Sequence, residues 1–529
     1  MELIAPELVV VLATAIAVTT AVAGRLRIAP PVLLLAFGAA IAFIPAFREL
    51  ELPADAVLLL FLPALLYWES LTISLREIRA NFRGILLMGT LLVVLTAGGV
   101  ATLLHLLGMP WGPAWVLGAA VAPTDATAVG ALTRSLPRRN TTVLRAESLV
   151  NDGTTLVIYG IAVAVTAGEQ TLSVWNVSGM LLLSYVGGIA AGLLVAWLGM
   201  LVLRRISAVV LENLLTLLVP FVAFLAAEAI GASGVLAVVV AGLVVSQVAP
   251  KLDRAETRQQ TRSFWSFATF LLNGSLFVLV GIEATIAVRD LEPRELLVGL
   301  DMIGLVSVAV VVLRFAFLNL SWGAVRLVTL RTGGSPREGH RDRVVSGFTG
   351  FRGAVSLAAA VAVPRMVEGG GAFPERDLIV FVVAGVVIVT IVGQSLVLPV
   401  VVRWADFGGS HEVADERRTA ERRALEEALA ALPRLADRSG ADADVVRRIR
   451  EDYEGHLALV RAEQSDDDDH PLLAKRGDAV ELELELVRLK AATLIRMRDE
   501  GDIDDLVLRQ VRAEYDAEET RLLRQGERD

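Results

Sequence analysis

The chain has 529 residues, 55% of them hydrophobic, a mean hydropathy of +0.61 and a formal net charge of −9. It is too apolar for a soluble protein of this length, which places most of it in lipid. The acidic excess lies mainly beyond Trp404 and gives no reason to expect nucleic-acid binding, and the absence of cysteine excludes disulfides and thiolate metal sites.

Residues 8–24 lack a basic leader and a convincing cleavage site, and read as a retained first span. Twelve further apolar segments follow, centred on Phe37, Phe61, Val94, Val121, Ile158, Ala190, Phe221, Val239, Phe277, Val310, Val355 and Val387. Arginine-rich loops follow the odd-numbered spans: Arg25 and Arg27, then Arg76, Arg79 and Arg83, and so on to Arg341 and Arg343. The alternate loops are poor in Lys and Arg. The positive-inside rule therefore predicts an external N-terminus and a cytoplasmic C-terminus. Thirteen spans permit an inverted repeat of six, a linker and six. The fifth and twelfth would then correspond, and both carry helix-breaking sequence: Ala122-Pro123-Thr124-Asp125 and Gly347-Phe348-Thr349-Gly350-Phe351-Arg352-Gly353. Interrupted helices at matching positions of two repeats point to a transporter binding site.

The sixth span opens with Glu147-Ser148-Leu149-Val150-Asn151-Asp152-Gly153. A carboxylate in the bilayer costs about 2.5–3.5 kcal/mol even on the lenient insertion scale, so two so close together suggest a site for a cation or proton. Ser148, Asp152 and Thr155 share one helix face, with Glu147 and Asn151 on its neighbour. One face thus offers a carboxylate and two hydroxyls to a small hard cation. Burial without a counter-charge favours a protonated carboxylate, so a proton can compete with the cation at Asp152. Asn151, expected in the ion-binding set with Asp152, Asp125, Thr124, Ser148 and Glu69, is neutral, and trading one proton for one monovalent cation at Asp152 would be electroneutral. Asp125, with the Thr124 carbonyl or hydroxyl, is expected to complete the oxygen shell; satisfying backbone groups freed near Pro123 is its structural alternative. Glu69 reaches the site through water or sits as an interfacial charge beside Trp68. Glu147 is expected to pair with Arg314, with Arg352 neutralising helix ends at the twelfth-span break; the two Arg roles are also interchangeable. Glu212, Glu228, Gln247, Asn273, Glu283 and Asp301 are assigned no chemistry.

Ala122-Pro123-Thr124-Asp125-Ala126, Glu147 to Asp152, and Gly350-Phe351-Arg352-Gly353-Ala354-Val355-Ser356-Leu357 resemble motifs of the monovalent cation:proton antiporters, in the Asn-Asp branch of sodium/proton exchangers. The resemblance spans about residues 1–405. It implies an all-α membrane protein, a homodimer with a moving core that works as an elevator, and fifth and twelfth spans crossing at unwound centres. It also implies an essential Asp152 with Asp125, Thr124 and Ser148 nearby. Sodium, lithium and potassium are all transported within the family, so cargo selectivity stays open. A bacterial inner-membrane location and a role in cellular pH and cation content follow from the same likeness, with no cofactor. In this family many chains carry Asp-Pro at the fifth-span break, whereas here Pro123 precedes Thr124-Asp125.

Residues 412–529 read as about four amphipathic helices forming a cytoplasmic bundle that stabilises a dimer, with a pH or ligand sensor as the alternative; Leu425, Leu429 and Leu432, and Leu482, Leu486 and Leu489, stand at core spacing. The run 466–469 reads as a solvated linker, since it lacks calcium-loop spacing. A channel is the main rival class, but no filter-like sequence is visible. Gly231-Ala232-Ser233-Gly234 has the outline of a serine-hydrolase motif without a partner His.

Overall fold

The computed structural model describes residues 4–26, 30–44, 54–125, 138–168, 179–206, 208–252, 255–332, 339–367, 370–405, 412–463, 471–500, 502 and 504–526. Ala126, Arg134, Gly369 and the acidic run 466–469 lie outside the described residues. Among the described residues every regular element is helical, apart from one isolated bridge between Met366 and Ala372. The chain divides into two compact units, Met1–Gly409 and Ser410–Asp529.

The first unit runs α1 (Ile4–Leu26), α2 (Pro30–Ile41), α3 (Ala54–Thr72), α4 (Leu75–Leu106), α5 (Trp111–Val121), α6 (Arg138–Thr166), α7 (Gly179–Leu203), α8 (Val209–Glu228), α9 (Gly234–Leu252), α10 (Ala255–Asp290), α11 (Pro293–Thr332), α12 (His340–Phe348), α13 (Ala354–Val361) and α14 (Arg376–Ala405). Among the described residues seven helices, α4, α6, α7, α8, α10, α11 and α14, are long and apolar enough to cross a membrane. Shorter apolar helices lie within α1, α2, α3, α5 and α9.

Lipid is as apolar as a leucine side chain, so packing between such helices relies on close backbone approach at small residues. The α2–α10 contact is of this kind. A Cβ on Gly281 would run into the backbone of Leu35, Gly38 and Ala39, and one on Gly38 into the Val278 carbonyl. By contrast, Leu193, Leu194, Trp197, Leu198 and Leu201 of α7 are exposed, as expected of a lipid-facing helix. α13 is the opposite extreme: all eight of its residues are buried, enclosed by α3, α5, α10 and α14. Two helices widen into a π-turn, α4 at Leu87–Leu92 and α7 at Leu183–Gly187. In the first, Gly89 sits directly against Val150 and the Asn151 backbone nitrogen of α6. The Gly231–Gly234 turn joins α8 to α9: Gly231 has φ +68° and the Ser233 hydroxyl accepts the Leu236 N–H at 3.2 Å. Ser233 is thus a helix cap, which gives its motif a structural explanation.

The second unit comprises α15 (Glu412–Ser439), α16 (Ala443–Glu463), α17 (Pro471–Asp499) and α18 (Asp505–Gly526). α15 packs on α16 and α17 on α18. Ion pairs join neighbouring helices, Arg461 to Glu426 at 3.0 Å and Lys490 to Glu518 at 2.8 Å. One expectation needs correcting. Leu482, Leu486 and Leu489 are 59%, 51% and 64% exposed, while Val480, Val487 and Ala491 are buried. Two residues along a helix turn it by about 200°, so the buried stripe lies on the face opposite the leucines.

Gly281→Val should cost about 1–3 kcal/mol through overpacking, read as a lower unfolding temperature of the detergent-solubilised protein. Gly304, whose added Cβ meets nothing within 4 Å, should tolerate Ala without loss.

Candidate ion-binding site

α5 stops at Val121, and Ala122–Asp125 continues without helical structure because Pro123 supplies no backbone N–H. α12 stops at Phe348, and Thr349–Gly353 is likewise non-helical before α13 begins. The two breaks are bonded to each other. The Asp125 N–H donates to the Phe351 carbonyl at 2.7 Å, and the Ala354 N–H donates to Asp125 Oδ2 at 3.1 Å. The Asp125 carboxylate therefore stands at the N-terminus of α13, where the helix dipole favours negative charge. Gly353 has no space for a Cβ, since the Asp125 carboxylate occupies that position.

Interrupting a helix also exposes C-terminal carbonyls, which must find donors when buried. Arg352 donates through Nε to the Val121 carbonyl at 3.0 Å and through Nη1 to the Gly350 carbonyl. Gln394 adds a weaker bond to Gly350 at 3.4 Å. Arg314 donates through Nε to the Ser346 carbonyl in the last turn of α12, at 2.8 Å. Its Nη1 and Nη2 meet Glu147 Oε1 and Oε2 at 2.6 and 3.2 Å. The Arg314 and Glu147 side chains are 2% and 1% exposed, so neither charge has water to solvate it. The geometry thus separates the two arginines, with Arg314 on Glu147 and Arg352 on the helix ends.

α6 brings the remaining predicted residues together. Ser148 Oγ donates to the Thr124 carbonyl at 2.8 Å, and Asn151 Nδ2 donates to Thr124 Oγ1 at 2.7 Å. Both Thr124 oxygens are therefore engaged by α6. A cavity of about 570 Å³ is lined by Glu69, Asp125, Ser148 and Asp152. Asp152 is 3% exposed at this wall, and both Glu69 and Asp125 lie within electrostatic reach of it. Like charges that close repel, so the group is suited to sharing a proton or cation. Thr124 and Asn151 instead border a separate narrow void with Glu147, Arg314 and Arg352. Among the described residues no three His, Cys, Asp or Glu side chains converge to hold a resident metal ion.

Two residues without an assigned role also line the cavity, Arg145 and Asn273. Arg145 precedes Ser148 by three residues and Asp152 by seven, which puts it on their face. Asn273 shares a polar stripe with Ser266 and Thr269 on otherwise apolar α10, a helical periodicity visible in the sequence.

The family model for the transmembrane sodium/hydrogen exchangers matches residues 10–404. An uncharacterised Na+/H+ exchanger of Mycobacterium tuberculosis is 42% identical over 97% of this chain and 96% of its own. A sodium, potassium, lithium and rubidium/H+ antiporter of Bacillus subtilis is 30% identical over 74% of this chain and 60% of its own. Among solved structures, the sodium proton antiporter of Methanocaldococcus jannaschii at pH 8 has the same fold. It has a TM-score of 0.56 and 19% identity, and the match covers 77% of this chain and all of that one.

Truncating one partner of the buried pair, as in Arg314→Met, should destabilise the protein by about 3–5 kcal/mol, seen as loss of the monodisperse species on size exclusion. Adding Glu147→Leu removes the stranded charge and should recover part of it.

Proposed function

The chain belongs to the sodium/hydrogen exchanger family, and we propose that it exchanges a monovalent cation for protons by alternating access at Asp152. The observation that carries the reading is a nearly buried carboxylate on a membrane-length helix, at the wall of a cavity it shares with Glu69, Asp125 and Ser148. Asp152 holds either a proton or a cation, because both compete for the same carboxylate oxygens. Asp125, Ser148 and Glu69 supply oxygen ligands or relay protons from the cavity. Thr124 and Asn151 position Ser148 and α6 against the fifth-span break.

Sodium is the leading cargo, with lithium and potassium as alternatives; the Bacillus subtilis relative is named for all three. Exchange is electroneutral in this reading, because the neighbour of Asp152 is a neutral amide committed to Thr124. Thirteen spans in two inverted repeats, an external N-terminus, a cytoplasmic tail and a cell-membrane homodimer with an elevator motion complete the proposal. The pairing of α5 with α12–α13 through their breaks supports the repeat, and the loop charges support the orientation.

In proteoliposomes with a trapped pH dye, sodium, lithium or potassium pulses should move protons in the wild type, and Asp152→Asn should abolish that movement while leaving a folded protein. Persisting exchange in that variant would refute the reading. Asn151→Asp adds a titratable charge and should make exchange respond to an imposed membrane potential, to which the wild type is indifferent.

A further inference from the structure

Beyond Asp152, away from the cavity, α6 carries a line of buried polar groups that the exchange site leaves unused. Asp152, Thr155 and Tyr159 follow i, i+3, i+7 spacing on one helix face. Thr155 is fully buried and Tyr159 5% exposed, and neither hydroxyl has a hydrogen-bond partner among the described residues. Ser356, on the buried helix α13, is in the same condition. Buried unpartnered hydroxyls are rare, and each calls for a reason such as water reaching it in another state.

α10 repeats the pattern. Arg262, Ser266, Thr269 and Asn273 line the open cavity. Glu283 lies ten residues further, about 15 Å along the same helix, and is 3% exposed. Its Oε1 is 3.7 Å from Arg365 Nη2 and its Oε2 3.7 Å from Arg376 Nη2. Arg376 also donates to the Val363 carbonyl at 3.1 Å and meets Asp377 at 3.4 Å, and Tyr159 lies within its coulombic reach. One carboxylate thus ties α10 to both ends of the segment joining α13 to α14. Arg145 and Arg262 mark the open end of α6 and α10, and this cluster lies at their other end.

We propose that Glu283, Arg365 and Arg376 close the second access route to Asp152, and that Thr155 and Tyr159 line that route once it opens. The inference rests on the exchange reading above. In the structure the cavity gives Asp152 one wet side, while the ion cluster and the dry hydroxyls occupy the other. Separating Glu283 from its two arginines releases Arg365 and Arg376 from α10 and lets water reach Tyr159 and then Thr155. Ion pairs at 3.7 Å suit a gate that must open. They hold the closed state without the short, bidentate geometry that fixes Arg314 to Glu147.

The chain contains no cysteine, so Thr155→Cys provides a single reporter. An impermeant methanethiosulfonate reagent is applied to vesicles of each orientation. From the face bearing Arg365 and Arg376, labelling should be slow in the Thr155→Cys protein and at least fivefold faster when Glu283→Gln or Arg376→Gln is added. Rates in both added variants unchanged from that of the Thr155→Cys protein, with the protein monodisperse, would overturn the proposal and leave the cluster as a structural staple. Should Glu283→Gln not fold, Glu283→Asp, which retains the charge on a shorter arm, must give an acceleration smaller than that of Arg376→Gln, and a rate unchanged from the Thr155→Cys protein would count against closure. The readout is access, not exchange. Faster labelling with an active Asp152→Asn protein would sink the exchange reading alone; unchanged labelling with an inert Asp152→Asn protein would sink the closure alone.

Discussion

Asp125 joins the two interrupted helices, and the candidate ion site is built around that junction. Its N–H bonds the Phe351 carbonyl and its carboxylate caps α13. A break in a membrane helix leaves backbone groups that lipid cannot satisfy. Placing two breaks together lets each supply what the other lacks. Two of the freed carbonyls, those of Val121 and Gly350, go to Arg352, which serves both breaks at once. The two breaks therefore share hydrogen bonds, and shifting one half-helix disturbs bonds of the other.

Charge is sorted around this junction by distance and wetness. Glu147 and Arg314 neutralise each other in a dry setting through two bonds, and Arg314 also secures the end of α12. That pair belongs to the scaffold. Asp152, further along α6 and facing a cavity, has Glu69 and Asp125 as nearby carboxylates. Two acidic residues five positions apart thus have opposite settings: one is matched by an arginine, the other faces an open cavity.

Much of this is legible in the chain itself. Pro123 and the glycines at 347, 350 and 353 mark both breaks, and the cost of a buried carboxylate alone demands a cation for Glu147. Which arginine answers depends on where α11 and the twelfth-span break sit in space, which spacing along the chain does not contain. Asn273 and Arg145 are a related case. Their helical stripes are readable, but the register of α10 against α6 is tertiary. In the tail, Leu482, Leu486 and Leu489 have core spacing yet lie exposed, because Val480, Val487 and Ala491 supply a second stripe of smaller residues and the packing selects that one. Spacing identifies a face; the neighbour decides whether it is covered.

The bonds that tie Thr124 to α6 bear on how long a passenger stays. Thr124 already accepts from Ser148 through its carbonyl and from Asn151 through its hydroxyl, and one Asp125 oxygen already serves Ala354. In the proposed exchange, a cation beside Asp152 meets an Asp125 carboxylate already half engaged, while Thr124 is taken up by α6. Incomplete ligation favours quick unloading, which a carrier that empties on every cycle needs more than a tighter grip.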